Sequence, residues 1–134
     1  MSAKLKDKNI KLDKKRLRNS FKYAFQGVKQ TYLGEQNMKI HTIIAILVIV
    51  LGFIFKISYM EWLICLVLIC LVLMAEFFNT AIEYVVDLIS PKINPLAKAA
   101  KDTSAAGVLM MAIISAIAGC MIFIPKFLNM IGVI

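Results

Sequence analysis

Residues 62–89 read WLICLVLICLVLMAEFFNTAIEYVVDLI, and this stretch decides the fold. Its first half, Trp62 to Ala75, is apolar without interruption. Fourteen residues are too few to cross a hydrocarbon core of about 30 Å, which takes about 20. Its second half carries Glu76, Asn79, Glu83 and Asp87, and neither Pro nor Gly occurs before Pro91. One helix is therefore predicted through both halves, over residues 61–89. At about 100° per residue, positions 79, 83 and 87 fall near −60°, −20° and +20° relative to Glu76. All four polar groups share one stripe. The opposite face, Phe77, Phe78, Ile82, Val85, Val86 and Ile89, is apolar.

Two further apolar runs flank this helix. Ile40–Ile57 is broken only by His41, Thr42 and Lys56, and Ala105–Pro125 is long enough to span. The predicted spans are 38–57, 61–89 and 102–125, with Lys56 snorkelling to an interface. Pro91 and Pro95 are expected to end the middle helix and to open a loop that lasts to Asp102. Composition agrees: of 134 residues 60% are hydrophobic and 18% charged, with mean hydropathy +0.79. Ordinary soluble domains are roughly 45–50% apolar, and a chain this short has too much surface to bury the excess. A soluble enzyme and a disordered chain are both excluded. An all-α integral membrane protein is expected.

Upstream, residues 1–13 form a basic, poorly ordered head. From Lys14, residues Leu17, Phe21, Phe25, Val28 and Tyr32 recur at steps of three and four, with Lys15, Arg18, Lys22 and Lys29 mostly between them. The spacing predicts a basic amphipathic helix over 14–33 that lies in the headgroup region and is broken by Gly34. The alternative is a solvated helix packed on a core. Residues 34–134 then make the membrane domain.

The net charge is +8, and its placement orients the chain. Eleven Lys and Arg precede the first span and three more (Lys92, Lys98, Lys101) lie in the second loop, against Lys56 and Lys126 on the other side. The positive-inside rule puts the N-terminus in the cytosol and, after three spans, the C-terminus outside. Basicity of this kind fits a membrane surface better than nucleic acid, for which no recognition motif is present. No signal-peptide pattern opens the chain, so cleavage is not expected. Cys65, Cys70 and Cys120 lie in apolar runs without framework spacing and are read as small hydrophobes.

The acidic stripe carries the chemistry. A carboxylate at membrane depth costs at least about 2.5 kcal/mol on insertion scales and marks a functional site by default. Three on one stripe invite a hard divalent cation such as Mg²⁺, which commonly arrives with substrate phosphates. The competing reading, strongest for Asp87 and weakest for Glu76, is a solvated interfacial charge. Lys98, Lys101 and Asp102 open the third span and admit two readings, a phosphate site at a helix N-terminus or a positive-inside anchor. Glu35 is equally a further metal ligand or a solvated loop charge. His41 reads as a satisfied interfacial residue, and Trp62 as an outer-interface anchor. Walker A, kinase glycine-rich, HExxH and GxSxG motifs are all absent from the sequence.

The segment AEFFNTAIEYVVD (75–87), followed by Ala100-Lys101-Asp102 and a third apolar span, resembles the prokaryotic diacylglycerol kinase family. The resemblance covers about residues 14–125. It implies a small trimeric membrane lipid kinase using ATP and Mg²⁺, whose Gram-positive members typically phosphorylate undecaprenol. The Lys-rich head and the run Pro95–Lys98 look like that branch. Carried over by position, it implies that Glu76 is the catalytic base with Asn79 beside it. Glu35 and Glu83 correspond to the Mg²⁺ ligands, Lys101 and Asp102 to a nucleotide-contacting pair, and Arg16 and Tyr23 to further nucleotide contacts. Lys92 and Asn94 depart from an acidic residue and a His common in the family where adenine is held, and Gln26 replaces a Lys of some members.

The expectation is therefore a bacterial plasma-membrane lipid kinase acting on undecaprenol, with diacylglycerol as the alternative acceptor. From a different class, a small proton-coupled exporter also places a lone membrane Glu on a helix stripe, but has no need of Glu35, Lys101 and Asp102. A non-catalytic scaffold leaves the carboxylates unexplained.

Overall fold

A computed structural model describes residues 13–90, 92 and 94–133. The expected basic head therefore lies outside the described residues except for Asp13, as does Pro91. Four helices follow one another: α1 (Lys14–Gly34), α2 (Gln36–Ile54), α3 (Tyr59–Ile89) and α4 (Pro95–Met130). No strand occurs among the described residues. Two compact units divide the chain between Gln30 and Thr31.

In the first unit, the Asp13 carboxylate caps α1. Its Oδ1 accepts from the backbone N–H of Lys15 at 2.9 Å and of Arg16 at 3.3 Å, which satisfies two of the donors a helix start leaves free. Leu17, Phe21, Phe25 and Val28 are all exposed.

In the second unit, α1 ends at Gly34 and α2 begins two residues later. Thr42 Oγ1 donates to the Met38 carbonyl at 2.8 Å, which leaves the Tyr32 hydroxyl as donor to Thr42 Oγ1 at 2.5 Å. This ties the end of α1 to the second turn of α2. Helix α3 is central, with α2 and α4 both packed against it.

The helices α2, α3 and α4 have 19, 31 and 36 residues, and each is long and apolar enough to cross a membrane. The buried apolar side chains are few: Met38, Ala45, Ile57, Cys65, Val72 and Val108. Large apolar groups such as Phe53, Phe78 and Leu109 are instead well exposed. A fold that turns its apolar surface outward needs a lipid solvent or further chains around it.

Three boundaries differ from the sequence expectation. Helix α2 stops at Ile54 rather than near 57, because Lys56 takes a left-handed conformation (φ 49°). Helix α4 starts at Pro95, so the expected loop to Asp102 is largely helical. Asn94 is its N-cap, accepting from Leu96 N at 2.9 Å, and Pro95 occupies the first position, where a missing N–H costs nothing. At its far end α4 runs through Pro125 to Met130, as helices in lipid tolerate when neighbouring groups absorb the lost bond.

The α2–α3 hairpin is set by close packing. Ser58 and Glu61 form a capping box at the start of α3: Ser58 N donates to Glu61 Oε2 at 2.6 Å and Glu61 N to Ser58 Oγ at 3.3 Å. Lys126 of α4 also reaches Glu61 Oε2, at 3.1 Å. Trp62 is half-buried, stacked obliquely on Phe53 with ring centres 4.9 Å apart. Its indole lies over Gly52, where an added Cβ would stand 2.7 Å from Cη2. Replacing Gly52 with Ala is expected to force these helices apart and to lower stability by about 1–3 kcal/mol. Trp62→Phe in the same background should recover part of the loss. Thermal unfolding of the three variants in one detergent checks this, and an unshifted Gly52→Ala midpoint would refute the contact.

Candidate active site

The polar stripe of α3 is graded by depth. Glu76 is completely buried, Asn79 is 4% exposed, Glu83 is half-buried and Asp87 is exposed. The same helix turn that sets the stripe thus carries it from the interior to water.

Asn79 is the centre of a relay between α3 and α4. Its Nδ2 donates to Glu83 Oε1 at 3.0 Å, and its Oδ1 accepts from Ser104 Oγ at 2.6 Å. Ser104 lies in α4 and also bonds the Lys101 carbonyl at 2.9 Å. One turn further out, Lys101 Nζ pairs with Asp87 Oδ1 at 2.6 Å. Lys101 and Asp102, adjacent in sequence, therefore diverge: Asp102 is exposed and pairs with Lys98 one turn back on α4. Helix α4 begins at Pro95, so Lys98 stands in its first turn and Lys101 in its second, one turn deeper than a helix N-terminus.

Glu76 has no such partners. Both of its carboxylate oxygens are buried, and neither makes a hydrogen bond among the described residues. Its neighbours across a cavity of about 220 Å³ are Asn37 and His41 of α2, Asn79 of α3, and Ala105, Val108, Leu109 and Ala112 of α4. Glu35 and Glu83 stand near enough for their charges to repel it, and Asn37 is the side chain close enough to oppose them as a donor, though it makes no hydrogen bond of normal geometry. Thr80, also buried, donates to the Glu76 backbone carbonyl at 3.0 Å and offers the side chain nothing. A carboxylate in this position is costly to fold around.

Glu35 is the N-cap residue of α2, in extended conformation, yet its side chain makes no capping bond. Its oxygens are thus not committed to the helix start. No group of three or more His, Cys, Asp or Glu side chains converges among the described residues in a metal-holding arrangement. Two hard carboxylates, Glu35 and Glu83, match the one or two that Mg²⁺ takes from protein when substrate phosphates supply the rest. Arg16 and Tyr23 are exposed on α1 in the first unit.

Sequence reasoning missed Asn37 and Ser104, and took His41 for an interfacial residue where the structure places it half-buried beside Glu76. Asn37 and His41 are one helical turn apart, an i,i+4 pair that marks one face of α2. Ser104 had no signal, since its bond to Asn79 joins residues 25 positions apart.

Three apolar helices enclosing a buried carboxylate define a membrane protein with an ionisable site inside its span. Its relationships say which one. The prokaryotic diacylglycerol kinase family profile matches residues 22–123. The chain is 45% identical over 107 residues to the undecaprenol kinase of Bacillus subtilis, covering 80% of this chain and 87% of that one. It is 35% identical over 112 residues to a diacylglycerol kinase of Synechocystis, covering 83% and 64%. With the diacylglycerol kinase of Escherichia coli the figures are 26% over 105 residues, 78% and 86%. The protein belongs to the prokaryotic diacylglycerol kinase family, and it is a membrane lipid kinase. The exporter and scaffold alternatives fall away.

An isosteric neutral side chain at position 76 is expected to stabilise the fold, because it removes the buried charge and keeps the volume. Glu76→Gln should unfold at a higher temperature than the parent chain in detergent. A lower midpoint would mean that the carboxylate is held by a donor, for which Asn37 is the side chain at hand.

Proposed function

We propose that the protein is an undecaprenol kinase, transferring the γ-phosphate of ATP to the terminal hydroxyl of undecaprenol to give undecaprenyl phosphate. The observation that carries the chemistry is the Glu76 carboxylate, buried and without a hydrogen-bond partner. A group in that state is free to accept a proton from an incoming alcohol. The choice of undecaprenol rests on the likeness to the Bacillus subtilis enzyme, whose name states that acceptor.

In the proposed reaction the lipid hydroxyl enters the cavity beside Glu76. Its proton passes to the carboxylate as its oxygen bonds the γ-phosphorus, and the bond from phosphorus to the β-bridging oxygen breaks, with ADP leaving with the electron pair. Little else is covalent, so catalysis is positioning and charge stabilisation. Asn79 orients Glu83 through their hydrogen bond. Glu35 and Glu83 would hold Mg²⁺, which when bound neutralises charge on the nucleotide phosphates. Lys101, after exchanging Asp87 for a phosphate, supplies positive charge at the transferring group. Asp102 completes the nucleotide side, and the family resemblance makes Arg16 and Tyr23 of α1 further nucleotide-contacting candidates.

The bilayer position follows from the same stripe. With Trp62 at the outer interface, about 30 Å of hydrocarbon reaches about Ile82, which sets Glu76 about 9 Å inside the inner boundary. That depth meets a lipid hydroxyl from one side and water-borne nucleotide from the other. The N-terminus faces the cytosol and α1 lies on the membrane surface, its exposed Leu17, Phe21 and Phe25 in the headgroup layer. Packing of α4 against further copies is supported by its small residues, since a Cβ added at Gly107 would meet nothing within 4 Å in this chain and such faces pack helices closely in lipid; the number three is what the family resemblance implies.

The test is phosphate transfer from labelled ATP in mixed micelles, with undecaprenol and diacylglycerol offered separately and together. Preference for undecaprenol is expected; preference for diacylglycerol would reassign the acceptor. Glu76→Gln should abolish transfer while MgATP still binds, and Glu83→Gln should raise the Mg²⁺ concentration needed for half-maximal rate. Unchanged metal dependence in the latter would remove Glu83 from the metal site.

A further inference from the structure

Besides the small cavity at Glu76, the second unit holds a larger one of about 630 Å³ between α2, α3 and α4. Its walls are almost wholly apolar, among them Val48, Leu68, Val72 and Phe123. Along α4 it runs from Ala112 to Ile124, twelve residues or about 18 Å of helix. Its volume is in the range of sites that hold a drug-sized ligand.

The two cavities are not independent. His41 of α2 and Ala112 of α4 line both of them. The imidazole and a methyl group thus stand where the apolar groove gives way to the polar chamber. Beyond that point the chamber ends on a carboxylate that is fully buried and unpartnered. An apolar groove that shares one aromatic side chain with a chamber holding an unsatisfied carboxylate fits an amphiphile with one chain and one terminal hydroxyl.

We propose that His41 and Ala112 form a neck that selects the acceptor by the number of chains next to its hydroxyl. This deepens the lipid-kinase reading and depends on it. The occupant of the groove is a single polyprenyl chain, with its hydroxyl passed between His41 and Ala112 to Glu76. A polyprenol tapers to one primary alcohol, which a single-file neck admits. In a diacylglycerol the carbon beside the CH₂OH group already bears an ester, so two chains fan out where the neck is tightest. Shape discrimination in an apolar pocket has the size of about tenfold to a few hundredfold. The small residue at 112 is required, because the bulk of the neck comes from His41.

The test uses the full chain in nanodiscs and begins with the parent protein, so that the acceptor reading is judged before the neck. Transfer to neither lipid would overturn the kinase reading and the neck with it; equal transfer to both would overturn the neck alone. Given a preference for undecaprenol, His41→Ala should lower the ratio of kcat/KM for undecaprenol over diacylglycerol by about tenfold or more, mainly through a gain with diacylglycerol. An unchanged ratio refutes the proposal. Ala112→Phe should lower transfer to both acceptors while MgATP still binds. Loss of transfer through dissociation of the oligomer would instead assign the groove to a second copy of this chain. A direct readout needs no turnover. Cys120 lines the groove and Cys70, also exposed, is not among its lining residues. Undecaprenol should slow alkylation of Cys120 by an apolar maleimide and leave Cys70 unaffected. Equal rates at both, with and without lipid, would overturn the assignment of the occupant.

Discussion

Both oxygens of the Glu76 carboxylate are buried without a hydrogen bond among the described residues, so the position of that group is fixed by what packs around it. Helix α2 supplies Asn37 and His41. Helix α4 supplies Val108, which is buried, with Ala105 and Ala112 as small residues that leave room for a chamber. The carboxylate resists this enclosure, because burying an unpaired charge is unfavourable, and the two nearby carboxylates Glu35 and Glu83 add repulsion. Helices α3 and α4 must therefore be held together elsewhere.

They are held at both ends of the α3–α4 pair. At one end Lys101 meets Asp87, and Asn79 meets Ser104; at the other Lys126 meets Glu61 beside the capping box. From 61 to 87 along α3 is about 39 Å, and from 101 to 126 along α4 about 37 Å. These spacings are close to a hydrocarbon core of about 30 Å plus part of each headgroup layer. Ion pairs placed there keep contact with water and set the register of two helices that otherwise present sliding apolar surfaces. The apolar middle is then free to stay loosely filled, which is where the groove lies.

Much of this was legible in the chain, and the reason is periodicity. The stripe Glu76–Asn79–Glu83–Asp87 follows from 3.6 residues per turn, and burial grades along it as depth requires. Three apolar runs gave three helices because lipid leaves the backbone few other ways to satisfy its hydrogen bonds. What sequence did not carry was local backbone conformation and contact between distant residues. Pro95 was taken for a helix breaker, whereas Asn94 as cap makes it a helix starter. Lys56 turns left-handed without being Gly or Asn, so the end of α2 had no marker. Lys101 and Asp102 look like a pair in sequence, but adjacent helical positions point about 100° apart, and each found its partner elsewhere.

The graded stripe also bears on a problem that any kinase at a membrane faces, which is that water is a competing acceptor for the phosphoryl group. A base exposed at the interface would activate water as readily as an alcohol. Glu76 is fully buried, whereas the groups proposed for the nucleotide, Glu83 and Lys101, keep partial access to solvent. The charged substrate thus meets charged residues at the wet end of the stripe, and the proton acceptor stays at the dry end. On the proposed reading, a lipid hydroxyl reaches it through an apolar groove that water has little reason to enter. Separating the two substrates by depth on one helix turns the cost of burying Glu76 into selectivity against hydrolysis. This accounts for the carboxylate standing two turns below the residues proposed to hold metal and nucleotide rather than among them.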